Sequence, residues 1–144
     1  MTNTEKIIGI LKENNIVFYR RNLKKGCILL LPYQITNLKV NLEVKMIINN
    51  DGLCRMGFEC KLNPAIVSDK KLLNLNSELS RGSLSIPIDA ENEVHFYFKF
   101  NIKDDFSYRN YDYNLKYCFY VFSLLDKENI IDIDFYKKQD LEDE

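Results

Sequence analysis

The chain has 144 residues, of which 46% are hydrophobic and 28% charged, and its formal net charge is −1. This composition excludes wholesale disorder, and the near-zero charge excludes a chain-wide field that would attract nucleic acid or a membrane surface. The length suits one domain. The first fifteen residues lack the apolar core of a signal peptide, and no apolar run reaches the roughly 18 residues of a spanning helix, so we expect a cytoplasmic protein.

Charge is unevenly distributed along the chain. Residues 1–62 carry ten Lys/Arg and five Asp/Glu, a balance of +5, whereas residues 63–144 carry ten and sixteen, a balance of −6. Much of the acidic excess falls at the C-terminal end. We therefore predict a single α+β domain over residues 1–136 and an acidic, solvated tail over residues 137–144.

The N-terminal half predicts one helix followed by three or four strands. Residues 4–14 carry apolar side chains at helical spacing, with Thr4 as the N-cap. Two β-rich runs follow, and Pro32 interrupts the second, which favours a sheet edge or a bulge. Apolar and polar residues then alternate over 38–48 and 54–62, on either side of the turn sequence NNDG. This pattern predicts an antiparallel hairpin with one buried face.

The segment after this hairpin changes from helical to alternating periodicity. Asn63 and Pro64 suit an N-cap and the first position of a helix over 65–79. Gly82 suits a left-handed stop at the end of that helix. The helix must end there because a strand over 84–88, with apolar residues on one face, follows at once.

The rest of the chain predicts a second strand and a final helix. Phenylalanines share one parity of the strand over 94–102, and the helix runs over 110–126. The complete order is α-β-β-β-(β)-α-β-β-α, which predicts an α+β protein with an antiparallel sheet packed by helices. The core stripe predicted for the last helix is Leu115, Cys118, Phe119, Phe122 and Leu125.

Residues 63–102 carry a series of motifs that is more specific than periodicity. An apolar-Pro segment precedes a helix with an L-x-x-L-N motif, and a glycine break leads to two strands joined by an acidic turn. The matching positions are Pro64, Leu72, Leu75, Asn76, Leu79, Gly82, Leu84, the turn 89–93 and the strand 94–100. In these features the chain resembles the YbjN-like family of bacterial proteins, whose fold is shared with class I chaperones of type III secretion. The resemblance implies a secretion-chaperone-like α+β fold, a homodimer without enzymatic activity, and a role in holding a partner polypeptide or in regulation.

The residues show no constellation typical of a catalytic, cofactor or metal site. The cysteines Cys27, Cys54, Cys60 and Cys118 lack C-x-x-C spacing and lie in apolar patterns, so we expect them to be reduced and buried. His95 is the one histidine, and its strand parity points it away from the core. The glycines are scattered, so no phosphate-cradling loop is present. We therefore predict that the protein is not an enzyme and has no cofactor or metal.

Two stretches are candidates for contact with partners. Residues 19–25, YRRNLKK, are the densest basic run, which suits a solvated hairpin turn or, alternatively, phosphate binding. The last helix has more tyrosine than one buried face requires, which suits packing under a loop or contact with a partner. The residues predicted to contact a partner or a second copy are Leu72, Leu75, Leu79, Leu84, Tyr113, Tyr117 and Tyr120.

These observations lead to two hypotheses about function. The first is a non-enzymatic, chaperone-like protein that holds a partner polypeptide as a homodimer. The alternative is a regulatory or immunity-type protein that binds a basic partner through its acidic C-terminal half. In both hypotheses the partner is a protein rather than a membrane or a nucleic acid.

Overall fold

The computed structural model describes residues 2–36, 38–49, 51–63, 65 and 68–134. Three helices and six strands follow one another in these residues, in the predicted order with four strands before the second helix. The predicted acidic tail over 137–144 lies outside the described residues. The elements are α1 (Asn3–Glu13), β1 (Tyr19–Leu23), β2 (Gly26–Ile35), β3 (Val40–Asn49), β4 (Leu53–Lys61), α2 (Asp69–Glu78), β5 (Ser83–Ser85), β6 (Glu93–Asn101) and α3 (Tyr108–Lys127).

The six strands form one antiparallel sheet in the order β1-β2-β3-β4-β6-β5. Successive hairpins join the first four strands, whereas β6 pairs with β4 and leaves β5 at the outer edge. This architecture confirms the predicted α+β class. Pro32 lies in β2 beyond Leu30, the residue that pairs with Tyr19 at the start of β1. At Pro32, β2 therefore has no neighbouring strand on the side of β1 and forms an edge of the sheet, as the sequence predicted.

Alternation along the strands determines which face of the sheet is buried. On β3, Val40, Val44 and Ile48 are fully buried, and the residues between the core positions are exposed or half-exposed. Residues that pair across two strands share a face. The same face therefore continues through the buried residues Cys54, Met56, Phe58 and Cys60 of β4 and Val94, Phe96 and Phe98 of β6.

Helices α1 and α3 complete the hydrophobic core on this face. Leu11 of α1 is fully buried, and Phe58 and Phe122 meet edge-to-face with ring centroids 5.7 Å apart. The hydroxyls of Tyr33 and Tyr111 lie 2.6 Å apart and join β2 to α3. Burying one such large side chain contributes about 1.5–3 kcal/mol, so this face supplies most of the driving force for folding.

The first helix is capped by a different residue from the predicted one. Thr2 Oγ1 accepts the backbone N–H of Glu5 at 3.1 Å, and Glu5 Oε2 accepts the N–H of Thr2 at 3.2 Å. This reciprocal pair is a capping box. The prediction of Thr4 as the cap is therefore wrong, because the S/T-x-x-E pattern that starts at Thr2 satisfies two N–H groups and Thr4 lies inside the first turn.

The second helix also begins later than predicted. Ser68 caps α2 by accepting the N–H of Lys71 at 3.3 Å, and the helix starts at Asp69. Asn63 does not cap α2, because the helix begins only at Asp69; the Asn63 Oδ1 accepts the N–H of Ala65 at 3.3 Å in a local turn, and the N–H of Asn63 donates to the carbonyl of Ile130 at 2.8 Å. Residues 61–63 thus extend β4 alongside the segment that follows α3, in which Ile131 forms a bridge with Leu62. Pro64, the predicted first position, lies outside the described residues.

Gly82 does not terminate α2 as the sequence predicted. The helix ends at Glu78, and Leu79 is already extended, with φ −79° and ψ 129°. Gly82 does adopt a left-handed φ of 74°, but a Cβ at this position would lie 2.4 Å from the carbonyl oxygen of Tyr97. The glycine is therefore required by the close approach of the chain to β6 as it enters the sheet.

The strand after Gly82 is shorter than predicted. Only Ser83–Ser85 pair with β6, so the predicted strand over 84–88 ends early, and Ile88, which was predicted to share one face with Leu84, is 95% exposed. The chain leaves the sheet at Pro87, whose carbonyl accepts the N–H of Ala90 at 3.2 Å in a turn.

The final helix is longer than the predicted 110–126 and starts at Tyr108, next to Ser107. Most of the predicted stripe is buried, but Phe119 is half-buried and packs edge-on against Tyr33 at 5.4 Å. The buried positions that the predicted stripe did not include are Tyr111, Asn114 and Val121. None of the described helices has the length and hydropathy required to span a bilayer.

Candidate binding surfaces

The second face of the sheet, which we call the open face, has exposed or half-exposed side chains. All five residues of β1 are exposed, and so are Arg55 and Lys99 near the middle of the sheet. Half-exposed apolar side chains of Ile28, Leu30 and Ile47 lie between these polar groups. The open face is therefore a broad surface of mixed apolar and charged character.

Cations lie along one row of the open face. The strand register pairs Arg21 with Ile28, Ile28 with Ile47, Ile47 with Arg55, and Arg55 with Lys99. We call these five residues the cationic row. Neighbouring strands are about 4.8 Å apart, so Arg55 and Lys99 repel each other at close range. Among the described residues, no carboxylate forms an ion pair with Arg21, Arg55 or Lys99. The positive charge of the cationic row is therefore available to a partner.

A polar cluster occupies the neighbouring part of the open face, with Glu59 at its centre. Lys45 Nζ lies 3.0 Å from Glu59 Oε2, and the Tyr97 hydroxyl donates to the same oxygen. His95 Nε2 lies 3.4 Å from Glu59 Oε1 and 3.0 Å from Glu93 Oε1. His95 thus points away from the core, as predicted, but its carboxylate and tyrosine neighbours are not signalled by any local motif.

The environment of the polar cluster shifts two pKa values in opposite directions. Partial burial raises the pKa of Glu59, but the hydrogen bonds from Tyr97 and Lys45 outweigh it, so the net pKa lies below the ordinary value. Burial and the hydrogen bond to Glu59 both raise the pKa of Tyr97. Glu59 is therefore ionised and Tyr97 neutral at physiological pH.

The polar cluster could in principle hold a cation, because Glu59, Glu93 and His95 offer ligand atoms within 4.8 Å of one another. However, the Lys45 ammonium already neutralises Glu59, and Tyr97 donates to the same carboxylate oxygen. The geometry therefore describes a satisfied network of ion pairs and hydrogen bonds, and we assign no metal to it.

Three tyrosines form a second surface on the outer side of α3. Tyr113 is 70% exposed and Tyr120 is 59% exposed, and Tyr117 lies half-buried between them. We call these residues the tyrosine surface. The ring of Tyr117 stacks on Tyr120 at 6.0 Å and meets Phe98 edge-on at 5.7 Å. The inner tyrosine therefore anchors this surface to the sheet.

The hydroxyl of Tyr117 also fixes the loop that leads into β5. It accepts the backbone N–H of Arg81 at 3.1 Å and donates to the carbonyl of Arg81 at 3.2 Å. The Arg81 guanidinium donates to Asn114 Oδ1 at 2.8 Å and lies 4.2 Å from the centroid of the Phe98 ring. Asn114, a buried polar residue in the core of α3, is satisfied by this contact.

Three of the four leucines predicted as contact residues are buried, and the fourth is half-buried. Leu72, Leu75 and Leu84 are 4–8% exposed and Leu79 is half-buried, because they pack in the core of the chain itself. Their contact with a second copy stays a prediction. The exposed apolar residue of α2 is Leu73, at 69% exposure, which the sequence did not single out.

The asparagine of the L-x-x-L-N motif has a structural role at the edge of the sheet. Asn76 Oδ1 accepts the N–H of Leu84 at 2.6 Å, and Asn76 Nδ2 donates to the carbonyl of Leu84 at 3.1 Å. One amide side chain therefore replaces a neighbouring strand for this residue of β5. Because Leu72 and Leu75 are buried, the motif couples the packing of α2 to the protection of a sheet edge.

The four cysteines are buried and free, as expected. Burial raises the pKa values of Cys54 and Cys60 and raises that of Cys118 to about 12. A thiol of this kind is neither ionised nor accessible, and the thiolate is the form that reacts. The described cysteines are therefore core residues.

The basic run over 19–25 forms β1 and the turn that follows it. Its side chains are exposed, and Arg20 Nε donates to Asn22 Oδ1 at 2.8 Å. The run is solvated, as predicted, but only its last two residues form the turn and its first five form the edge strand. Arg21 adds its charge to the cationic row.

Comparison with solved structures supports the fold, whereas the two comparisons at the level of sequence find no match. No protein-family model and no curated protein sequence matches the chain. Among solved structures, the crystal structure of YbjN from E. coli matches with a TM-score of 0.61 and 11% sequence identity, over 88% of this chain and 93% of YbjN. At this identity the likeness concerns three-dimensional structure alone. The chain therefore has a YbjN-like α+β fold.

Proposed function

We propose that the protein is a non-enzymatic, chaperone-like protein that holds a partner polypeptide on the tyrosine surface. The observation that carries this proposal is the pair of exposed tyrosines, Tyr113 and Tyr120, on a helix anchored to the core. Tyrosine buries a large apolar area at low entropic cost and keeps a polar tip, so it is enriched where polypeptides meet.

The rigidity of the tyrosine surface supports this role. Tyr117 packs on Phe98 and holds both backbone groups of Arg81, so the centre of the surface is ordered before any partner arrives. Preorganisation lowers the entropic cost of binding. A partner segment with apolar or aromatic side chains would bury Tyr113 and Tyr120 on either side of this fixed centre.

Site-specific photocrosslinking tests the proposal. A benzoylphenylalanine at position 113 or 120 is expected to form an adduct with the same polypeptide in a lysate of the native cell. Position 19 is the matched control, because Tyr19 is 63% exposed but lies on β1. The proposal fails if positions 113 and 120 give no shared adduct, or if position 19 gives the same one.

We propose further that the protein forms a homodimer through the open face. The cationic row and the acidic side chains of the same face, including Glu43 and Glu93, occupy different halves of the surface. A two-fold axis lying in the interface and parallel to the row would bring the cations of one copy onto the acids of the other. Such an isologous contact is self-complementary in charge.

Charge reversal distinguishes this contact from a general loss of solubility. Arg55→Glu and Glu43→Lys each place like charges opposite one another twice in the symmetric dimer, so each variant alone is expected to dissociate about tenfold more readily. An equimolar mixture of the two variants restores opposite charges at both positions. Sedimentation equilibrium should then show mixed dimers, whereas a wild type that stays monomeric at high micromolar concentration contradicts the proposal.

A regulatory role is the second candidate. The description of YbjN names transcription regulation as the suspected role of that protein. For this chain, regulation would rest on the capture of a basic partner by the acidic C-terminal half, including the tail over 137–144. Deletion after Asp134 separates the candidates, since electrostatic capture should weaken and become less sensitive to salt, whereas binding to the tyrosine surface should survive.

A further inference from the structure

A cavity of about 390 Å³ opens where the end of β6 meets the first turns of α3. Two cationic side chains, Arg81 and Arg109, contribute to its wall. The amides of Asn101, Asn110 and Asn114 also line it. None of the described residues in the wall is acidic, so the cavity concentrates positive charge and hydrogen-bond donors.

Arg81 is held in place before any ligand binds. One guanidinium nitrogen, Nη1, donates to Asn114 Oδ1 at 2.8 Å, and the guanidinium carbon lies 4.2 Å from the centroid of the Phe98 ring. The backbone of Arg81 is fixed by the Tyr117 hydroxyl. A guanidinium has five N–H donors, so most of those on Arg81 remain free for an anion in a fixed geometry.

Arg109 and Asn110 add donors from the first turn of α3. Arg109 is exposed and forms no ion pair with a described residue. Asn110 Oδ1 accepts from the N–H and the hydroxyl of Ser107, at 2.8 and 3.0 Å, which leaves the Asn110 amide nitrogen as a donor. The nearest acid along the helix, Asp112, is paired with Lys116 at 2.8 Å. The positive end of the helix dipole adds to the same field.

The remaining wall of the cavity is aromatic. Phe100 and Phe106 stack with ring centroids 5.7 Å apart and planes 10° apart, and Tyr113, which is 70% exposed, also lines the cavity. A flat, apolar group would therefore fit beside the cationic end. The volume also exceeds what a single inorganic anion would fill.

We infer that this cavity is a binding site for an organic phosphate monoester with an aromatic substituent. Two guanidinium groups and a helix N-terminus together match a dianion better than a monoanionic carboxylate, and the fork of an arginine binds phosphate oxygens in pairs. The aromatic wall supplies stacking for the substituent. The site adjoins the tyrosine surface, because Tyr113 belongs to both, but its cationic groups Arg81 and Arg109 lie outside that surface. The phosphate site can therefore be tested separately from the proposed partner polypeptide, since Arg109→Gln leaves all three tyrosines in place.

Titration with small probes, monitored by amide chemical shifts, tests the inference. Phenyl phosphate is expected to bind saturably, to shift the amides of Asn101 and Asn110, and to bind more tightly than either inorganic phosphate or benzoate. Arg109→Gln should weaken phenyl phosphate about tenfold, whereas Arg21→Gln, which removes the same charge from β1, should leave it unchanged. Arg109 is exposed, so its variant is expected to fold, and thermal unfolding checks this.

Each alternative outcome overturns a stated part of the inference. If phenyl phosphate does not saturate, or if the amide chemical shifts change only in other regions, the cavity is not a binding site for it. Equal affinity for benzoate removes the preference for phosphate, and equal affinity for inorganic phosphate removes the aromatic component. Unchanged binding by a folded Arg109→Gln variant removes the assignment to this cavity.

Discussion

Replacement of Asn76 by alanine isolates the link between α2 and the outer strand. The change deletes both hydrogen bonds to the backbone of Leu84, at 2.6 and 3.1 Å, and leaves an N–H and a carbonyl at the sheet edge without their partner. Each lost bond costs about 0.5–1.5 kcal/mol, and more if the backbone group stays dry. Asn76 is half-buried, so water replaces part of the loss. We therefore expect destabilisation of about 1–3 kcal/mol.

Asn74→Ala is the matched control for this prediction. Asn74 lies in the same helix, but its side chain is exposed and its carbonyl, which the substitution retains, accepts from Ser77. Both substitutions raise helix propensity by the same few tenths of a kcal/mol, so their difference reports the edge contact alone. Urea unfolding followed by circular dichroism gives the free energies, and hydrogen exchange should show a faster Leu84 amide only in Asn76→Ala. Equal stabilities of the two variants would refute the proposed role of the motif.

Three further changes test separate parts of the structure. Gly82→Ala should destabilise the fold by about 2 kcal/mol or more in thermal unfolding, because the added Cβ would clash with the Tyr97 carbonyl oxygen and the backbone φ of 74° is unfavourable for alanine. Tyr117→Phe should cost about 1–2 kcal/mol in urea unfolding, since it removes both contacts with the backbone of Arg81 but keeps the packed ring. Glu59 has a lowered pKa in the folded state, so its stabilisation is present above its unfolded pKa of about 4.3 and is lost as pH falls through the folded pKa. Glu59→Gln should therefore flatten the acid side of the stability–pH curve, and an unchanged slope would contradict the role of the polar cluster.

The parts of the fold that could be predicted from the sequence are those encoded by local periodicity. Alternation over 38–48 and 54–62 predicted the central hairpin, because a half-buried strand repeats its burial every two residues. The same argument placed Phe96 and Phe98 on the core face, where they are at most 2% exposed. Element order and fold class followed from these segments and the helix between them.

Two of the errors occurred where a contact between residues distant in the chain decides a local structure. Asn63 has the residue type of a helix cap, but its N–H donates to the carbonyl of Ile130, 67 positions later, and this bond belongs to the bridge between Leu62 and Ile131. Gly82 looks like a helix stop, but the constraint comes from the Tyr97 carbonyl of another strand. In both cases the residue type suits two geometries, and only the partner distinguishes them.

The candidate sites were predictable to a smaller extent for the same reason. Exposure of Tyr113 and Tyr120 follows from a surplus of tyrosine on one helix, which the sequence displays. The cationic row and the cavity do not follow from any segment, because their cations come from different elements and meet through strand register and helix packing.

The sequence changes from helical to alternating periodicity at the loop over 79–82, and this loop also helps to form the tyrosine surface and the cavity. Its backbone is fixed by the Tyr117 hydroxyl from α3, its guanidinium by Asn114, and the strand it introduces by Asn76 from α2. The Tyr117 hydroxyl and the Asn114 amide oxygen each bond to Arg81 from more than 30 positions away in the chain, and Asn76 bonds to Leu84 from eight positions away. A polar group left unsatisfied here would cost more free energy than its hydrogen bond contributes. Such a network specifies one position of Arg81 between the tyrosine surface and the cavity. Weakening any member should therefore disturb both surfaces before it disturbs the hydrophobic core.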